Sequence, residues 1–320
     1  MTDMQEAVQQ GRQSLTVICP VYNEALSIDY FFERFAKVRE GLVSSLDVDL
    51  VFVNNASTDD TLAKILALRA QHPWVQVLTQ ARNFGYQASV LCGITNTHSD
   101  AYVVIDCDCE DPPEMIPTFV EKWREGYDLV YGRRDFRPES RIVVAARKIF
   151  YRITHAIADS DFILDMAEFS LFTKRIRGFV LSHGSTFPFV RSDLAYPGFR
   201  RFPVPYTREP RRFGKTNYNL VGMSRFAIAG ILSASTFPLR LLAYTGIPLC
   251  LIDGVYGILT LFWQPVALTF FLFLNIGFLV AAVSFLAIYL ARVTKDLIGR
   301  PVFVVDEQLS HTNKSTKPDG

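Results

Sequence analysis

Two apolar runs, residues 241–263 and 266–291, constrain this chain more than any other feature. At 1.5 Å rise per residue each is long enough to cross a hydrocarbon core of about 30 Å, and only Gln264-Pro265 separates them. A helical hairpin in lipid satisfies the backbone polar groups of both runs internally, so two membrane spans are the expectation and buried core helices the competing one. The 49% hydrophobic content, high against 20% charged, is concentrated in this stretch. Arg225 and Arg240 precede the first run and Arg292, Lys295 and Arg300 follow the second, which places both outer ends on the cytoplasmic side. Residues 1–14 are polar and lack the apolar core of a signal peptide, so the large N-terminal region is expected to stay cytoplasmic. Cys19, Cys92, Cys107, Cys109 and Cys250 show no paired framework, in keeping with a reducing compartment. Cys107-x-Cys109 is half of a zinc pattern with no second pair nearby.

The polar part alternates short apolar runs with amphipathic ones. Residues 15–19, 48–53, 75–78, 101–105 and 128–131 read as strands, and 25–44, 60–71, 87–95 and 114–125 as helices. That order predicts an α/β fold with a mostly parallel sheet and helices on both faces. Ligands of such sheets lie beyond the carboxyl ends of the strands, where Asn23-Glu24, Asn54-Asn55 and the stretch V-V-I-D-C-D-C-E-D-P-P-E (103–114) fall. If the backbone stays extended, Asp106, Asp108 and Glu110 share one face, a set suited to Mg²⁺ or Mn²⁺ carrying a phosphorylated substrate. A solvated acidic loop is the other reading of a lone D-x-D.

Net charge is +1, but Arg133, Arg134, Arg137, Arg141, Arg147, Lys148 and Arg152 cluster, as do Arg200, Arg201, Arg208, Arg211, Arg212 and Lys215. Such clusters suit nucleic acid or a lipid phosphate. Their place upstream of the apolar runs favours the lipid, and no nucleic-acid partner is expected.

Five motifs in order carry a resemblance: C-P-V-Y-N-E (19–24), V-N-N-A-S-T-D (53–59), A-R-N-F-G-Y-Q (81–87), D-C-D-C-E-D-P-P-E (106–114), and S-T-F-P-L-R (235–240) leading into the apolar hairpin and I-Y-L-A-R-V-T-K-D-L-I-G-R-P-V-F-V-V (288–305). Over residues 14–305 the chain resembles the family 2 inverting glycosyltransferases of GT-A (Rossmann-like) fold, and within them the polyisoprenyl-phosphate branch related to dolichol-phosphate mannose synthase. The resemblance implies a cytoplasmic catalytic domain at 15–218 between a flexible tail, 1–14, and an amphipathic juxtamembrane segment, 219–240. The hairpin and a cytoplasmic tail, 292–320, follow; residues 310–320 are expected to be mobile and without a role. It also implies a homo-oligomer, a nucleotide-sugar donor, a polyprenyl phosphate acceptor and a lipid bilayer as partners, with Mg²⁺ or Mn²⁺ as cofactor.

By the same resemblance Asp106, Asp108 and Glu110 bind the metal, while Pro20, Tyr22, Glu24, Asn55, Arg82, Gly85, Gln87 and Asp106 surround the nucleotide-sugar. Arg134, Arg137, Arg141, Lys148, Arg211 and Lys215 grip the acceptor phosphate; Asp108, Glu168 and Arg134 are the catalytic set. An ionised phosphate needs no strong general base, only cations that align it with the anomeric carbon. Asn55 stands where the family usually has Asp; its amide can pair with the uracil imide and a ring carbonyl, which tilts the donor towards a UDP-sugar over a GDP-sugar, unless Asn54-Asn55 simply forms a turn. Glu168 and Ser170 alter the family's G-D-F-R, Asn217 alters its S-K-Y and Tyr86 replaces a basic residue, so a different sugar or a weakened copy are both open. A non-catalytic scaffold that binds nucleotide-sugar is the reading from another class. In the hairpin, Asp253 and Asn275 lie at nearly equal depth and are expected to hydrogen-bond, and residues 220–232 are amphipathic enough to lie on the bilayer surface.

Overall fold

The computed structural model describes residues 12–134, 163, 166–182, 188–213, 237–260 and 268–313. The chain divides into two compact units: one holds the sheet together with the segment from Pro301 onward, the other the apolar helices.

In the first unit β1 (Gln13–Val21), β2 (Leu46–Asn54), β3 (Val75–Thr79) and β4 (Ala101–Val104) are parallel, linked by α1 (Ile28–Leu42), α2 (Thr61–Gln71) and α3 (Tyr86–Thr95). After α4 (Ile116–Arg124) come β5 (Leu129–Arg134), β6 (Met166–Thr173), α5 (Lys174–Ser182), α6 (Val190–Ala195) and β7 (Arg201–Tyr206). The seven strands lie in the order β3-β2-β1-β4-β6-β5-β7, with β6 antiparallel to both its neighbours. The expected α/β sheet, mostly parallel and covered on both faces, is the one observed.

Alternation along β1 explains the two faces: Leu15, Val17, Cys19 and Val21 enter one core and Ile18 the other. Burial on both sides is why the strand reads as an unbroken apolar run. On the first face α1 buries Ile28, Phe31, Phe32, Phe35, Val38 and Leu42, the spacing of a helical stripe; Phe32 stacks on Trp74 at 5.4 Å between ring centres. Each such side chain contributes about 1.5–3 kcal/mol. On the second face Gly93 of α3 lies so close to Ile18 that any added Cβ would collide with it.

The segment after the apolar helices folds back onto the first unit. Residues 301–313 run along the outer edge of β3, with His311 N–H donating to the Val77 carbonyl at 2.8 Å and Asp306 N–H to that of Thr79 at 2.7 Å. This corrects the expectation of a mobile, idle end for residues 310–313; 314–320 lie outside the described residues. An edge strand presents unpaired backbone groups, and this segment meets them.

The second unit contains α7 (Phe237–Thr260) and α8 (Leu268–Ile298). Both are long and apolar enough to cross a membrane, with none of their most apolar stretches buried. They approach where Gly246 faces Phe278, and Asn275 Nδ2 donates to Asp253 Oδ1 at 3.0 Å, as their matched depth predicts. The expected surface helix at 220–232 lies outside the described residues.

Candidate active site

The carboxyl ends of β1, β2 and β4 form one rim, and β6, running the other way, brings Glu168 near its own start to the same rim. Leaving β1, Tyr22 is exposed and Asn23 takes a left-handed φ of 55°, its side chain accepting from Thr58 N–H at 2.8 Å. Glu24 is anchored by Ser27 Oγ at 2.9 Å and paired with Arg211. Pro20, expected beside the nucleoside, is buried within central β1, in register with Val53.

Asn55, expected to read the base, follows β2 directly. It is 5% exposed. Its Nδ2 donates to Asn83 Oδ1 at 3.0 Å and its Oδ1 accepts from Phe84 N–H at 2.8 Å, while Asn83 Oδ1 also accepts from Gly85 N–H at 2.9 Å. The amide thus gives one donor and one acceptor to bracing the 82–85 loop. In that loop Gly85, with φ of 94°, caps α3, and exposed Arg82 stacks on Phe84 at 3.9 Å. Gln87 accepts from Val190 N–H at 2.9 Å and points its amide at Glu168 Oε1, 3.4 Å away.

Past β4 the chain does not stay extended. Asp108 Oδ1 accepts from Glu110 N–H at 3.0 Å and Cys109 adopts φ of 56°, a tight turn that breaks the alternation placing Asp106, Asp108 and Glu110 on one face. Among the described residues no three His, Cys, Asp or Glu side chains gather as a cation site. Asp106 accepts from the Tyr86 hydroxyl at 2.9 Å; Arg211 lies 3.9 Å from Asp108; Glu110 pairs with Arg208 at 2.6 Å. The expectation that the three share one face is corrected: the turn sets Glu110 apart, committed to Arg208.

Negative charge nevertheless accumulates here. Burial, then Asp108 and Asp111, push the Asp106 carboxyl up to about 7. Burial likewise raises Glu168, against the pull of Arg191. A site that crowds carboxylates until one is protonated near neutrality fits a hard divalent cation.

Reading the residues alone passes over Asp111, Tyr206 and the role of Arg208. Asp111 is 1% exposed, accepts from the Tyr206 hydroxyl at 2.5 Å and lies 3.4 Å from Arg208 Nε and 3.7 Å from Arg134. The signal was a fourth acidic residue just before Pro112-Pro113. Arg134 lies at the end of β5 with its Nε 3.3 Å from Tyr206 Oη, whereas Arg137, Arg141, Lys148 and Lys215 lie outside the described residues. Arg200 stacks on Tyr127 and Arg212 on Tyr30, both arginines remaining exposed.

A mixed sheet of this order, with carboxylates and arginines meeting at one rim, defines a GT-A glycosyltransferase. The chain belongs to glycosyl transferase family 2, whose sequence profile matches residues 16–179. It is 30% identical to YkcC, an uncharacterized glycosyltransferase of Bacillus subtilis (strain 168), over 93% of this chain and 95% of that one. To the bactoprenol glucosyl transferase of Shigella phage SfX it is 29% identical, over 91% and 98% respectively. Among solved structures, mannosyl-3-phosphoglycerate synthase from Rubrobacter xylanophilus superposes with a TM-score of 0.50 at 15% identity, covering 76% of this chain and 77% of that one, a likeness of fold.

Proposed function

We propose that the protein transfers a sugar from a nucleotide-sugar to a polyprenyl phosphate at the cytoplasmic face of a membrane, with inversion. The observation that carries this reading is the rim itself, where Glu24 and Asp108 face Arg211, Asp111 faces Arg134, and Asp106 takes the Tyr86 hydroxyl. Similarity along nearly the whole chain to a bactoprenol glucosyl transferase supports the acceptor, and two exposed apolar helices support the membrane setting. Arg240 near the start of α7, Lys295 in the last turn of α8 and Arg300 just beyond it support cytoplasmic termini.

Asp106 and Asp108 would hold Mg²⁺ or Mn²⁺, which supplies charge neutralisation for the departing diphosphate. Glu24 accepts from a ribose hydroxyl. A phosphate oxygen of the acceptor attacks the anomeric carbon as its bond to the diphosphate breaks, so the residues' task is alignment and charge, not proton removal. Arg211, now paired with Glu24 and Asp108, is released to the acceptor phosphate when the donor engages those carboxylates. Arg134 helps place the same phosphate, and Glu168, supported by Gln87, organises the sugar side.

Membranes containing the protein, labelled UDP- or GDP-sugars, polyprenyl phosphate and Mg²⁺ or Mn²⁺ provide the test. Lipid-extractable label that disappears in Asp108→Ala is the expected result, and the panel identifies the base. Nucleotide-sugar binding with no transfer to lipid would establish the scaffold reading instead.

A further inference from the structure

The segment that follows α8 does more than cover an edge. From Val77 to Ala81 it bonds to β3 and to the start of the 82–85 loop. His311 and Val77 exchange two backbone hydrogen bonds, 2.8 and 3.0 Å, and Ala81 N–H donates to the Val304 carbonyl at 2.9 Å. The Ser310 hydroxyl accepts from Thr79 N–H at 2.8 Å and donates to the Asp306 carbonyl at 2.6 Å, and Thr79 Oγ1 donates to the Leu309 carbonyl at 3.0 Å. The segment holds its own shape, since Asp306 Oδ1 caps the short turn Glu307–Leu309 through Gln308 and Leu309 N–H. Phe303 and Val305 pack on the second-face core that contains Leu78 and Val90 and that Tyr86 joins.

These bonds end where the donor loop begins. Ala81 is one residue from Arg82; Asn83 and Phe84 are locked to Asn55, and Gly85 N–H to the Asn83 side chain; and Tyr86 donates to Asp106. A shift of the chain at Gln80 and Ala81 would pass directly into that lock and on to the Tyr86 hydroxyl. A segment present only to shield a sheet edge would not need to continue past Thr79, yet the bond at Ala81 lies beyond the last residue of β3.

We propose that residues 301–313 are positioning residues of the donor site: they fix the 80–87 loop and thereby set the affinity for the nucleotide-sugar. The proposal rests on the activity proposed above for that loop, and it makes the donor site depend on chain that lies C-terminal to the apolar helices. Gly299, with φ of 64°, and Arg300 are all that separate Ile298, the end of α8, from this segment.

The test uses the full-length protein in lipid nanodiscs. Ser310→Ala deletes the bridging hydroxyl, Ser310→Thr keeps it, and Asp306→Pro removes both the N–H given to Thr79 and the Oδ1 cap of the 307–309 turn, at a φ of −84° close to that of proline. For Ser310→Ala and Asp306→Pro, donor KM and nucleotide Kd should rise about five-fold, the factor carried by one hydrogen bond of ordinary strength. Acceptor KM should stay within about two-fold, exchange of the 79–85 amides should quicken, and Ser310→Thr should restore the donor values. A lower Tm with donor KM and nucleotide Kd unchanged would overturn the proposal, as would equal rises in donor and acceptor KM. Should Asp306→Pro fail to fold, the Ser310 pair decides. Nucleotide Kd is read without turnover, so absence of sugar transfer in the wild type would refute the activity and leave this test standing.

Discussion

Asn55→Asp separates a residue that reads the base from one that braces a loop. The substitution keeps the acceptor for Phe84 N–H but turns the donated bond to Asn83 Oδ1, 3.0 Å long, into an encounter of two oxygens. Flipping the Asn83 amide would relieve that contact only by surrendering the bond from Gly85 N–H. One hydrogen bond of about 1 kcal/mol is lost and a buried polar group is left unmatched at about 1–2 kcal/mol more. A loop opened by about 2–3 kcal/mol corresponds to roughly 30- to 140-fold weaker binding of any ligand that needs it closed. Titration calorimetry with UDP and with GDP should therefore show both weakened together. Opposite shifts for the two nucleotides, or none for either, would refute the bracing role.

Other outcomes follow from the same geometry. The Asp106 carboxyl, raised in the folded state to about 7 from its ordinary 3.8, stabilises the fold at low pH and loses that contribution as pH climbs through 7. Metal-free thermal unfolding should thus show a downward slope between pH 4 and 7 that Asp106→Asn reduces, and protection by Mn²⁺ should grow across the same window; identical slopes in both proteins would contradict it. Arg211→Gln should lower transfer to the lipid at least ten-fold while leaving nucleotide Kd equal or tighter, because Glu24 and Asp108 are no longer occupied; weaker nucleotide binding would be the wrong sign. Gly132→Ala puts a Cβ 2.7 Å from Tyr206 Cε1 and should break the Tyr206–Asp111 bond, costing about 1–3 kcal/mol of stability by chemical denaturation. Asp253→Leu removes the polar link between α7 and α8 and should lower detergent-resistant stability by about 1 kcal/mol.

The first five strands are legible in the sequence because both faces of the sheet are covered, so their residues form nearly continuous apolar runs. The same reading stops after residue 131. Yet Met166–Thr173 forms a strand buried at nearly every position, and its Glu168 stands out in the sequence only through a motif. The local partners of Asn55 and Glu110, the 82–85 loop and Arg208, are not legible in the sequence because they come together only through the fold. The left-handed turn at Cys109 has no sequence signature, since residues other than Gly, Asn and Asp seldom adopt it. The C-terminal segment is too short and too polar to show periodicity, and its partner, the edge of β3, exists only once the sheet is formed.

Reversing β6 has a consequence for chemistry. In a wholly parallel sheet every strand delivers its last residues to the working side and sends its first ones away. Because β6 enters where β4 leaves, with Ser170 opposite Val104, an acid from a strand's opening residues stands across from an acid just past a strand's finish, Glu168 against Asp106. Two carboxyl groups that chain direction would have kept on opposite sides of the protein thus become neighbours, and each can be altered without touching the strand that supplies the other.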